Sequence, residues 1–313
     1  MAVLLTQQVA LNNTLSLALS IDLLLVIPLV YLFLIRKSRI PKTTSIPVVL
    51  IGLFIGYKTI PEAQQQYLDM FTHYVLPLIE LSVVGFIIYK VTKAIRAYKR
   101  LKTSAPDFYD VLKNVCGEIV PKRLALALAT EVGVLYYGFL HFKKSNLAPN
   151  QFSYHKTSGT PALYGGIILV IAIETVALHF LLMKWNVVAA WIVTVLSVYT
   201  AIQFFGYARA LSQRPISIDP NGLTLRYSIM NETYITFDQI DRLELNSQEL
   251  EKDKLTKSLS ALGTLESHNC VLYLKSEHQL TGVYGIKKSY RILSFYIDQP
   301  TNFKVQLDAA MQS

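Results

Sequence analysis

The chain has 313 residues, 52% of them hydrophobic and only 16% charged, with a formal net charge of +9 and a mean hydropathy of +0.36. That balance excludes an ordinary soluble domain and fits a polytopic membrane protein. Residues 1–214 hold 20 Lys and Arg against 9 Asp and Glu, whereas residues 215–313 hold 10 against 12. The basic excess therefore lies between apolar runs, where it orients helices and meets anionic lipid, and no nucleic-acid partner is expected.

The N-terminal stretch MAVLLTQQVALNN lacks the positive start of a signal peptide, and the apolar run after it ends in IRKSR. It reads as a retained first helix. Apolar segments are predicted at about 15–35, 46–60, 74–91 and 124–142. The third and fourth are separated by a basic connection over 90–123 that carries nine Lys or Arg. Its stretch DFYDVLKNVCGEIV has the pattern of a short amphipathic interfacial helix. A polar link over 143–160 follows the fourth segment, and two long apolar runs, joined only by Lys184-Trp185-Asn186, then fill 162–211. Each is about 20 residues, enough to cross a hydrocarbon core of about 30 Å. Trp185 and Trp191 flank the turn, where amphipathic rings prefer the headgroup zone.

The reading is thus about six membrane helices over 1–208, followed by a β domain over 209–313. The links at 36–42 and 90–123 are the most basic and belong in the cytoplasm. Lys143, Lys144 and Lys156 make the fourth link basic too, so the fourth segment reads either as a full span or as a re-entrant one. Six full spans would place the tail outside, whereas a re-entrant fourth segment places every basic link, and the tail with them, inside.

From Pro215 the pattern changes to alternation with period two. ISID and LTLRYS flank Pro220-Asn221-Gly222, a hairpin signal. YITF, IDRLEL, CVLYLK, LTGVYG and YRILSFYI read as further strands, the charged insert 246–268 as loop or short helix, and DQPTNFKVQLDAAM as a closing helix. RPISIDPNGLTLRYS, YITFDQIDRLEL and FYIDQPTNFKVQL resemble the bacterial pleckstrin-homology-like domains of integral membrane proteins. The resemblance covers roughly 215–313 and implies a small antiparallel barrel or sandwich closed by the C-terminal helix. It also implies a cytoplasmic tail, and it implies little about activity. The early strands offer only Arg226 and Arg242, too few for the convergent basic groups that capture a phosphoinositide. No phosphoinositide site is expected.

Cys116 and Cys270 have no CxxC or His/Cys neighbour and read as inert. The chemistry on offer is intramembrane. Glu131 and Glu174 lie about 11 and 12 residues inside segments four and five, or roughly 17 and 18 Å from one boundary if those segments pair antiparallel. Such groups are costly in lipid, about 2.5–3.5 kcal/mol each, and normally face protein or water. His179 follows Glu174 by five residues, about 140° round a regular helix, so the two cannot share a metal without a π-bulge. One reading makes Glu131, Glu174 and His179, with Tyr136 and Tyr137 beside them, a polar centre. It would hold a divalent metal or relay protons, and His141 and His155 could add ligands. The other has each Glu neutral and bonded to a Tyr, Thr or carbonyl on a neighbouring helix, with Tyr136, Tyr137, Thr175, Thr194 and Tyr199 as candidates, and no cofactor is then needed. Asp22 and Glu80 carry the same pair of readings. The expected function is a non-enzymatic, membrane-anchored interaction or assembly module that offers its β domain to a protein partner. The alternatives are an intramembrane enzyme on a lipidic substrate or a proton-coupled carrier.

Overall fold

The computed structural model describes residues 13–38, 40–100, 107–141, 147–251 and 253–312. Lys143 and Lys144 of the fourth link lie outside them. The N-terminal half is helical, and an open mixed sheet with a final helix follows. Contacts divide the chain into two units, the first ending at Ala125 and the second spanning Leu126–Ser313. The last apolar helices thus group with the sheet.

In the first unit, α1 (Asn13–Ile35) and α3 (Gln66–Lys93) are long and apolar enough to cross a bilayer. Both contain a π-turn shortly before a proline: Asp22–Val26 precedes Pro28, and Phe71–Val75 precedes Pro77. A proline lacks the N–H of a helical bond and crowds the preceding turn, and the widened π-turn absorbs both faults. Helix α2 (Ser45–Thr59) has 15 residues, roughly 22 Å, which falls short of a hydrocarbon core. Gly52 lets α1 pack closely against it, and Gly56 admits Leu68 of α3; a Cβ at Gly52 would collide with the carbonyl oxygen of Leu23. Leu24, Val49, Leu53, Ile60, Leu68 and Phe71 form the core there.

The expected amphipathic helix is present as α4 (Phe108–Ile119), which buries Phe108, Tyr109, Leu112, Cys116 and Ile119 on one face. Cys116 is completely buried, and burial pushes its thiol up to about 11. Cys270 is likewise buried and is pushed up to about 12. A thiol attacks as its thiolate, so neither cysteine is expected to react with a maleimide at neutral pH until the chain unfolds. Labelling followed by mass determination checks this, and fast modification of the native protein contradicts it.

In the second unit, α5 (Lys122–Leu135) runs into a π-turn at Tyr136–Leu140. The apolar part, Leu124–Leu140, is too short to count with the long spans. Helices α6 (Thr160–Met183) and α7 (Val187–Leu211) are long and apolar enough to cross. Asn186 caps α7 by accepting the Ala189 N–H at 3.0 Å. Four such long helices occur among the described residues, where the sequence suggested about six.

Among the described residues, eight strands follow the order β1-β2-β3-β4-β7-β8-β6, with β5 paired to β7. They are β1 (Gln151–Phe152), β2 (Ile216–Asp219), β3 (Gly222–Tyr227), β4 (Asn231–Thr236), β5 (Ile240–Glu244), β6 (Thr256–Ser258), β7 (Cys270–Thr281) and β8 (Lys287–Phe295). The hairpin around Pro220-Asn221 is as expected, since Asp219 pairs with Gly222.

Three features depart from the sequence reading. The link before α6 contributes β1, antiparallel to β2. The charged insert holds β6, which pairs with β8 in parallel, so the sheet is mixed. The segment LTGVYG is no strand of its own: β7 ends at Thr281, and Val283–Gly285 forms the turn into β8. Leu223, Leu225, Ile235, Val271, Leu272 and Leu293 fill the core. Helix α8 (Pro300–Gln312) covers it with Phe303 and Leu307, and Phe303 packs edge-on to Phe152 and Phe295.

Candidate functional site

Helix α5 packs along α7 in parallel. The two helices rise together from Glu131 beside Tyr199 to His141 beside Gln213. Close approach is possible because Gly206 faces Val134 and Gly138 faces Gly206. The sequence reading paired the fourth segment with the fifth; its polar partners are instead on the sixth.

That arrangement sets the fate of Glu131. Its Oε2 accepts from the Tyr199 hydroxyl and the Gln203 Nε2, both at 2.7 Å. Its Oε1 accepts from the Tyr284 hydroxyl at 2.8 Å. Tyr284 stands on the β7–β8 turn with φ +57, in the left-handed region, followed by Gly285 with φ +82. A bulky residue rarely adopts that conformation without surrounding contacts to hold it. Gly285 leaves room for Leu126 of α5, whose Cδ1 would lie 2.7 Å from an added Cβ. One carboxylate therefore ties two helices to the sheet. The Gln203 Oε1 beside it is buried with no hydrogen-bond partner.

The other residues of the sequence-derived centre do not join this cluster. Glu174 is exposed on α6. His179 Nδ1 bonds the Thr194 hydroxyl at 2.8 Å, and its ring meets Trp191 edge-on. Tyr136 and Tyr137 are buried and stack edge to face; the Tyr136 hydroxyl lies 3.1 Å from His141 Nδ1. His141 Nε2 in turn meets Gln213 Oε1 at 3.1 Å. Asp22 and Glu80 are exposed on their helices. Among the described residues no group of three His, Cys, Asp or Glu is placed to hold a metal ion.

A second polar knot joins α6, α7 and the sheet. Arg214, 1% exposed, donates to the Ser228 carbonyl at 2.7 Å and to Glu232 at 2.9 Å. Ser228, with φ +53, donates its N–H to the Tyr154 hydroxyl at 2.7 Å and its hydroxyl to the Tyr207 carbonyl at 2.8 Å. Tyr227 donates to Glu266 at 2.6 Å, and burial pushes the Tyr154 and Tyr227 hydroxyls far above their ordinary range. Both stay protonated at any physiological pH, Tyr227 as the donor to Glu266 and Tyr154 as the acceptor for the Ser228 N–H. Asp298 accepts the Lys156 and Thr157 N–H groups, which holds the link before α6 on the sheet.

On the sheet itself, the insert and Ser294 of β8 enclose a cleft of about 500 Å³ lined by Glu249, Glu251, Asp253, Glu266, Lys257 and His268, with serines and threonines between. The His268 Nε2 and the His155 Nδ1 are buried without partners. Burial holds both imidazoles below their ordinary 6.5; a Gln248 backbone bond to His268 and the Asp298 charge near His155 only partly oppose it. The folded state thus binds fewer protons than the unfolded one. Their contribution is complete above about 6.5 and is lost as pH falls below it. The expected result is a lower melting temperature at about pH 5.5 than at about pH 7.5, with the difference reduced in His155→Gln/His268→Gln. An unchanged difference in that variant contradicts the assignment.

Arg242 is already engaged by Asp241 at 3.0 Å and Glu244 at 2.7 Å, and it stacks on Tyr273.

Sequence reasoning missed Gln203, Arg214 and Tyr284. Gln203 could have been found as a polar residue in an apolar run, the same signal that picked out Glu131. The Gly282–Gly285 spacing marks a turn, which was the signal for Tyr284. Comparison with known proteins finds no matching family model, no matching curated protein and no matching solved structure.

Proposed function

We propose that the protein is a membrane-anchored, non-enzymatic binding module. In this reading α1, α3, α6 and α7 cross the bilayer, and the mixed sheet with α8 acts as a pleckstrin-homology-like platform on the cytoplasmic side of a bacterial cell membrane. The observation that carries it is the use made of Glu131. Its two oxygens bond Tyr199, Gln203 and Tyr284, so the carboxylate serves to fix the sheet on the helices. An enzyme or carrier would need Glu131, Glu174 and His179 to converge on a substrate path, and the bonds of Glu131 and His179 lead to different partners. The Glu249–His268 cleft is the place proposed for a protein partner, since polar groups on a concave surface favour specific recognition.

Site-specific photocrosslinking in intact cells tests this. A photoreactive residue at Glu251 should give one discrete adduct, and the same residue at Asp308 on α8 should not. Absence of a discrete adduct from Glu251, together with lipid turnover that Glu174→Gln or His179→Ala abolishes, would replace the module with the enzyme reading.

A further inference from the structure

The β7–β8 turn reaches further along α7 than a platform resting above the bilayer should. Trp185, 81% exposed, marks the far end of the α6–α7 hairpin and belongs in the headgroup zone. A hydrocarbon core of about 30 Å takes about 20 residues of helix. Counted from Trp185, that length runs back to Gly165 on α6 and forward to Phe205 on α7. Tyr199 stands six residues, roughly 9 Å, inside that limit. Tyr199 and Tyr284 both donate to Glu131, and the backbone of Gly285 closely approaches Leu126, five residues before Glu131 on α5, so the turn reaches that level.

The turn is built for that position. Tyr284 is 43% exposed and Ile286 60% exposed. The Gly282 N–H donates to the Ile286 carbonyl at 2.7 Å and the Gly285 N–H to the Gly282 carbonyl at 3.0 Å, which leaves few turn amides unsatisfied. That economy is what a loop entering a low-dielectric zone requires. Lys287 and Lys288 follow immediately, both exposed. Long cationic side chains at that point can extend back to the phosphate level while the stems stay in apolar surroundings.

We propose that the β7–β8 tip, from Val283 to Lys288, dips into the bilayer beside α5 and α7, with Lys287 and Lys288 holding anionic lipid headgroups. The inference rests on the reading of α6–α7 as a crossing hairpin. Apolar side chains continuous with lipid-facing helices, followed by paired lysines, match an anionic bilayer and no soluble partner.

The test uses the full chain in vesicles of phosphatidylcholine and phosphatidylglycerol. The native cysteines are buried, so a bimane label on Ile286→Cys reports the tip alone. A label on Leu265→Cys, near the opposite end of the β7–β8 ladder, is the solvent reference. The expected result is strong quenching at position 286 by shallow doxyl lipid, weak quenching there by aqueous iodide, and the reverse at 265. Doxyl-phosphatidylglycerol should quench at least about twofold better than doxyl-phosphatidylcholine, and Lys287→Gln/Lys288→Gln should return the ratio to about one.

A membrane-impermeant maleimide on Trp185→Cys separates the two ways of failing. If it labels only from the face opposite Leu265 while position 286 is as open to iodide as 265, the crossing stands and the dipping tip is overturned. If Trp185 and Leu265 label from one face, the crossing fails and takes the tip with it. A lipid ratio of one with both lysines present overturns the headgroup assignment.

Discussion

Arg214→Ala destabilises the second unit by about 3 kcal/mol, the lower end of the 3–5 kcal/mol typical of removing one partner from a buried ion pair. The lower end applies because Glu232 keeps 24% of its side chain exposed, whereas Arg214 keeps none. The loss has three sources. Glu232 is left without its cation, the Ser228 carbonyl loses a charge-assisted donor, and a cavity opens where a large, fully buried side chain stood. In a unit of this size the change corresponds to a fall in melting temperature of roughly 6–12 °C. Near-UV dichroism of the detergent-solubilised chain, which reports the buried tyrosines, measures it. Arg214→Lys should recover only part, since an ammonium cannot span two acceptors as a guanidinium fork does. A melting temperature within about 2 °C of wild type for Arg214→Ala would mean that the knot is held by its tyrosines alone.

Gly206→Ala is expected to separate α5 from α7. Two effects oppose each other at this position. Alanine is the better helix former by about 1 kcal/mol. Its Cβ, however, would lie 2.6 Å from Val134 Cγ1, 2.7 Å from the Val134 carbonyl oxygen and 2.9 Å from its Cα. A side-chain methyl could swing away, but the main chain of α5 cannot, and overpacking of this kind costs about 1–3 kcal/mol. The clash wins. The helices move apart and the bonds from Tyr199 and Gln203 to Glu131 lengthen. Gly138→Ala is the control, because its nearest neighbours lie at an ordinary 3.5 Å. Thermal unfolding should place Gly206→Ala clearly below wild type and Gly138→Ala close to it; equal values for the pair would sink the argument.

These predictions show where the sequence was legible. Long apolar runs announce α6 and α7, because helix length against bilayer thickness is a local property. Alternation and Pro220-Asn221 announce the first hairpin for the same reason. The amphipathic α4 could be read from spacing alone. What could not be read depended on distant pairing. Gln151-Phe152 is too short to signal a strand, and it becomes one only because β2 is there to receive it. The parallel ladder of β6 on β8 joins segments with no shared local pattern. Glu131 was singled out as an ionisable group in an apolar helix. Tyr199 was among the partners expected for it and is one of them, but the fourth segment was paired with the fifth, because sequence order does not say which helices touch.

The strand β1 carries a further consequence, in the order of events during synthesis. Its partner β2 is made only after the whole α6–α7 hairpin, since Phe152 pairs with Ile216. The sheet therefore cannot acquire its outer strand until both apolar helices have left the ribosome and folded back on one another. Completion of the platform becomes a checkpoint on correct hairpin formation. A chain whose hairpin fails to close would leave the β2 edge bare, a template for aggregation that quality-control proteases can recognise.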